Sequence, residues 1–96
     1  MDESHDAPVV HDDRAMRFRM ELPGGTAELA YVRVSDTVLD LYSTWVPPEE
    51  RGRQVASRLV TAALAHARKL GLRVVPSCWY VRRWLDAHPD QADLLA

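Results

Sequence analysis

Apolar and polar residues first alternate near Ala15, where Phe18 and Met20 fall between Arg17, Arg19 and Glu21. That period of two predicts a half-buried strand. Pro23-Gly24-Gly25 follows as a turn, because glycine reaches the positive φ that tight hairpin turns need. A second strand is predicted from Thr26 to Val34, with Ala27, Leu29 and Tyr31 on one face. Ser35-Asp36 is a short turn, and Thr37 to Val46 reads as a third, longer strand. Three strands joined by tight turns make an antiparallel meander. The period then changes. Pro47-Pro48 ends the sheet pattern, since neither residue donates a backbone hydrogen bond. From about Gly52 to Leu70, Val55, Leu59, Ala62, Ala63 and Leu70 recur at helical spacing. Arg68 and Lys69 suit the negative end of that helix, and Gly71 suits its closing position. Leu72 to Cys78 is predicted as a fourth strand, Trp79 to Ala87 as a short helix, and Pro89 to Leu94 as one further turn. A strand that follows a helical crossover can lie parallel to the strand before it. The expected architecture is therefore α+β, a mixed, mostly antiparallel four-stranded sheet packed by two helices.

Composition narrows the possibilities. Ninety-six residues, 47% hydrophobic and 27% charged, suit one globular domain and not two cores. Residues 1–14 hold Asp2, Glu3, Asp6, Asp12 and Asp13 against Arg14 and show no periodicity, so they are expected to be a disordered acidic tail ahead of a domain at 15–96. His5 and His11 in that tail could bind a metal, but two ligands in a flexible segment make a weak site. The net charge is −2, so the rest of the chain carries a surplus of +2, with arginines at 51, 53, 58, 68, 73, 82 and 83. That surplus suits an anionic small ligand and is too small for wrapping a nucleic-acid duplex. No apolar run approaches the roughly 18 residues of a membrane span, and the first residues are acidic, so neither membrane span nor secretory signal is expected. Cys78 is the single cysteine, which excludes an internal disulfide. These features predict a cytoplasmic protein, and an exposed sheet edge leaves monomer and homodimer both open.

The chemistry concentrates between Val46 and Ala56, where a strand runs into Pro47-Pro48-Glu49-Glu50-Arg51-Gly52-Arg53-Gln54-Val55-Ala56 and then into a helix. The first N–H groups of a helix have no internal partner and sit at the positive end of its dipole. Glycine allows close approach of a phosphate, and Arg51 and Arg53 add donors, so a pyrophosphate fits. The plain alternative is a capped helix with two exposed arginines.

Arg51, Gly52, Arg53, Gln54, Val55 and Ala56 resemble the cofactor signature of the GNAT acetyltransferases, Arg/Gln-x-x-Gly-x-Gly/Ala, with Gln54 in place of the usual fourth glycine. Over residues 15–94 the chain resembles a family of unusually small, single-domain GNAT-like proteins. Gly25, Ala30-Tyr31, Thr44, Val46-Pro47, Ala67-Arg68, Gly71, Val75-Pro76, Cys78 and His88-Pro89 carry that resemblance. It implies acetyl-coenzyme A as donor and an amine, not readable from sequence, as acceptor. It further implies pantetheine pairing around Trp45 and Val46, between third and fourth strands that splay apart. Amides of Gly52 to Val55 are implied to hold the pyrophosphate. Cys78 and Tyr80 are the implied catalytic candidates. Tyr80 is either an acid for the leaving thiolate or an ordinary amphipathic core residue; Cys78 is either an alternative acid, a nucleophile aided by a returning His88, or an inert buried thiol. A non-catalytic acyl-coenzyme A binding or sensing module is the alternative reading.

Overall fold

The computed structural model describes residues 7–96. Its strands are β1 (Val10–Asp12), β2 (Arg17–Leu22), β3 (Gly25–Ser35), β4 (Val38–Trp45) and β5 (Arg73–Val75). Helix α1 covers Val55–Leu70 and α2 covers Trp79–Asp86, with short 3-10 turns at Pro48–Glu50 and Pro89–Leu94. The sheet runs in the order β1-β2-β3-β4-β5. All neighbours are antiparallel except β4 and β5, which pair in parallel after the α1 crossover.

The sheet therefore has five strands where the hydrophobic pattern predicts four, and the acidic tail expected over 1–14 is in part a strand. His5 lies outside the described residues. His11 explains why pattern alone misses β1: its inward group is an imidazole. That ring stacks on Phe18 at 4.3 Å and 7°, and its Nε2 lies 2.6 Å from the Tyr31 hydroxyl. On the other face Asp12 pairs with Arg19 and accepts from the Ala15 amide at 3.0 Å. An aromatic stack and an ion pair do here what alternating aliphatics do elsewhere.

One core lies between the helices and a single face of the sheet. Phe18, Met20, Ala27, Leu29, Leu39 and Leu41 supply the sheet side, and Leu59, Val60, Ala63, Leu64 and Ala67 the side of α1. Val81, Trp84 and Leu85 bring α2 into the same cluster. Leu70, counted on the apolar face by spacing, is exposed at the helix end. Burying these side chains at about 25 cal/mol per Å2 is the main force holding the layers together. The alternate positions Arg17, Arg19, Glu28 and Asp40 lie on the opposite sheet face, half-buried and polar.

Two departures from the expected boundaries shape the site. Helix α1 begins at Val55, three residues later than its spacing predicts, because Gly52 (φ 81°) and Gln54 (φ 64°) both take left-handed backbone conformations. Strand β5 ends at Val75 instead of Cys78. Pro76 offers no amide to the ladder, so the chain leaves the sheet there.

Candidate functional site

The parallel β4–β5 ladder stops at Asp40 opposite Val75. One further bond, from the Cys78 amide to the Leu41 carbonyl at 3.0 Å, ties the start of α2 back to β4. Beyond it β4 continues to Trp45 paired only with β3. On that β3 side Leu41 faces Tyr31 and Ser43 faces Ala30, so Tyr42 is the extra residue of a bulge. Bulges bend a strand and increase its local twist. The bend and the missing proline amide together part β4 from β5, and backbone groups of β4 near Trp45 border the opening.

A cleft of about 440 Å3 occupies that opening, walled by Thr44, Trp45, Val46, Arg51, Ala56, Cys78, Trp79 and Tyr80. A second hollow, about 290 Å3, lies over the start of α1 between Val46, Glu50, Arg51, Gly52, Gln54, Val55, Ala56, Ser57 and Tyr80. Both share Val46, Arg51, Ala56 and Tyr80, and so make one bent groove. Its combined size is that of a small-molecule site. Every residue expected at the site from sequence walls this groove except Arg53, which is exposed outside it.

Each wall has an identifiable support. The Arg51 guanidinium donates from Nε to the Val46 carbonyl at 3.1 Å and lies 5.1 Å from the Trp45 ring centre. Its charge is thereby held at the junction of the two hollows. The first bond of α1 runs from the Arg58 amide to the Gln54 carbonyl at 3.0 Å. The Val55, Ala56 and Ser57 amides precede it and carry the positive end of the helix dipole. The Ser57 hydroxyl accepts from the Trp84 indole at 2.8 Å, locking α2 against the start of α1.

Cys78 sits at the start of α2, 9% exposed, with its Sγ 3.5 Å from the Thr44 hydroxyl. Among the described residues no histidine bonds to it. His88 stacks on Trp84 at 3.7 Å and its Nδ1 donates to the Trp84 carbonyl at 2.6 Å, so it closes α2 instead of folding back. Tyr80 is half-buried, and burial first, then the nearby Cys78, pushes its hydroxyl pKa up. A phenol so placed keeps its proton at neutral pH and can donate it.

Glu50 is the site residue that sequence reasoning missed. It is only 4% exposed. Its Oε2 accepts from the Gly24 amide at 2.8 Å, bracing the β2–β3 turn against the loop before α1, while its buried Oε1 has no partner among the described residues. An adjacent acidic pair before a helix reads as solvated charge, and nothing local marks one member as buried. Among the described residues no group of three or more His, Cys, Asp or Glu is placed to hold a metal ion.

Comparison with known proteins gives a consistent result. The family model described as GCN5-related N-acetyl-transferase matches residues 17–94. Protein NATD1 of Bos taurus is 36% identical over 83 residues, covering 84% of this chain and 74% of its own length. Protein NATD1 of Xenopus tropicalis is 33% identical over 91 residues, covering 93% and 84%. A GCN5-like protein of Staphylococcus aureus, solved by NMR, superposes with a TM-score of 0.75 at 22% identity, covering 94% of this chain and 88% of its own.

Proposed function

We propose, for a chain that belongs to the GCN5-related N-acetyltransferase family, that it binds acetyl-coenzyme A in the bent groove and transfers the acetyl group to an amine. The observation that carries this reading is the junction of two features. Strands β4 and β5 part at the place where α1 presents its unbonded amides. An extended thioester with a pyrophosphate at one end needs an anion site continuous with an opening that offers backbone groups, and the residues present fit that need. The Val55, Ala56 and Ser57 amides with Arg51 suit the pyrophosphate. Backbone groups of β4 near Trp45 and Val46 suit the amides of the pantetheine arm.

The donor supplies an activated acyl carbon, and the chain supplies position and protons. A neutral amine adds to that carbon while a backbone amide stabilises the developing oxyanion. The Tyr80 hydroxyl, kept protonated by burial, gives its proton to the leaving sulfur. The proton shed by the amine passes to water. Cys78 lies beside the reaction with its sulfur against the Thr44 hydroxyl and with His88 turned away onto Trp84, so the reading is direct transfer without an acyl-cysteine. A cytoplasmic setting goes with this reading.

A second reading, a non-catalytic acyl-coenzyme A binding module, is favoured by two observations. Gln54 occupies the position where the family signature has glycine, and the Glu50 carboxyl stands in the same hollow as the anion site. Thiol release from acetyl-coenzyme A across a panel of amines separates the two. Turnover above the hydrolysis background with at least one amine supports transfer. Binding without turnover across the panel supports the module.

A further inference from the structure

Among the described residues Glu50 is the one buried charged side chain, 4% exposed on the turn ahead of α1. Its Oε2 is fixed by the Gly24 amide at 2.8 Å, and a Cβ on residue 24 would stand just 2.8 Å from that oxygen. Glycine at 24 therefore lets the β2–β3 turn close onto the carboxyl. Its Oε1 is buried without a hydrogen-bond partner among the described residues. A buried carboxylate oxygen left unbonded costs free energy that a cation can recover. Glu50 also walls the hollow over the start of α1, where Arg51 is the only cationic wall residue and the Val55, Ala56 and Ser57 amides begin the helix. A carboxylate thus stands where the proposed function puts a pyrophosphate. The two anions together bring about three negative charges, whereas Arg51 and the helix dipole return about one and a half.

We infer that this hollow takes the pyrophosphate together with a divalent cation, Mg2+, which bridges Glu50 Oε1 and the phosphate oxygens. This inference rests on the reading of the groove as a coenzyme A site. Mg2+ takes oxygen ligands, keeps several of its waters, and is held by one or two carboxylates plus substrate phosphates. A single fixed carboxylate beside an anion site meets that description without a cage of protein ligands, of which the described residues offer none. Gly52, in the same hollow, has nothing within 4 Å of where a Cβ would stand, so the loop leaves room for a hydrated ion. Two consequences follow from the charges. One carboxylate alone holds Mg2+ poorly, so cation and coenzyme A bind together, each raising the affinity of the other by the same factor. The bridge also turns Glu50 from a like charge opposing the pyrophosphate into a ligand that retains it. The cation acts on binding and leaves the acyl-transfer step unchanged.

The test measures coenzyme A affinity by calorimetry in millimolar Mg2+ and in KCl of the same ionic strength. Mg2+ is expected to tighten binding to the native protein about ten-fold. Glu50→Gln keeps the shape of the side chain and an oxygen for the Gly24 amide. It should respond to Mg2+ by less than about two-fold, and without Mg2+ it should bind coenzyme A more tightly than the native protein does. A carboxyl that only braces the β2–β3 turn gives neither effect. A native affinity indifferent to Mg2+, or an equal response in Glu50→Gln, overturns the cation site. Mn2+ in place of Mg2+ locates the ion through paramagnetic broadening of amide signals. Broadening should centre on Gly24 and on Glu50 to Gly52, should require coenzyme A, and should be much weaker in Glu50→Gln. Broadening centred elsewhere, or as strong without coenzyme A, also overturns the site. Coenzyme A that fails to bind with or without Mg2+ refutes the groove reading itself, whereas binding indifferent to Mg2+ refutes the cation alone.

Discussion

Replacing Gln54 with glycine separates two accounts of the loop before α1. In a helix interior the change costs roughly 1 kcal/mol of propensity, and the protein would be weakened. Gln54 is instead the residue before the helix, at φ 64° and ψ 17°, with no side-chain hydrogen bond to the helix it opens. An L side chain in that left-handed region costs about 1–2 kcal/mol, which glycine does not. Glycine returns about 0.4–1 kcal/mol of that through the greater freedom of the unfolded chain. The net expectation for Gln54→Gly is a gain of about 0.5–1 kcal/mol. For a domain of this size that is a rise in Tm of roughly 2–8 °C. Gln54→Ala keeps the Cβ that causes the strain and should gain little. Urea unfolding monitored by tryptophan fluorescence reads both variants. A loss near 1 kcal/mol in Gln54→Gly would refute the left-handed assignment. Because glycine also opens the loop, coenzyme A affinity should rise or stay unchanged in a variant whose fold is intact.

Other expectations follow from single contacts. Tyr80→Phe should remove most of the acetyl-transfer rate while leaving coenzyme A affinity unchanged; calorimetry and steady-state kinetics on one preparation decide this. Cys78→Ser should keep measurable turnover, and an acetylated Cys78 peptide in the mass spectrum together with complete loss of rate would establish the covalent route. Ser57→Ala removes the acceptor of the buried Trp84 indole and should cost about 1 kcal/mol by chemical denaturation, with a change in tryptophan emission. Burial first, then the neighbouring His11, holds the His66 pKa below its ordinary value of 6.5, so the folded state favours neutral imidazole. That stability is complete above the unfolded pKa and declines as pH falls below about 6.5, because the unfolded chain takes up the proton first. His66→Gln should flatten this limb of the pH–stability curve, and an unchanged slope in the variant contradicts the assignment.

Much of the fold is written in local patterns. Phe18 and Met20 between charged neighbours define β2, and the 3.6 period of Val55, Leu59 and Ala63 defines α1. Pro76 marks in one residue the place where β5 leaves β4. What the pattern does not carry depends on partners far along the chain. β1 is held by His11 against Phe18 and Tyr31, a contact across 20 residues that no alternation announces. The burial of Glu50 depends on the Gly24 amide, 26 residues away. The Tyr42 bulge arises from register between two strands, and sequence period alone gives no sign of it. At the site, residue types and order place Arg51, Gly52, Cys78 and Tyr80 around one groove, yet they do not reveal that Gln54 lies outside the helix or that Arg53 is not among the groove's walls.

The most direct test of the groove is a coenzyme A titration of the isotopically labelled protein, followed by amide chemical shifts. The account predicts saturable shifts centred on Trp45 to Ser57, with a second set at Cys78 to Tyr80, and a clear loss of affinity in Arg51→Ala under conditions where folding is unchanged. Shifts confined to residues 89–96, or no saturable shifts at millimolar coenzyme A, would contradict it.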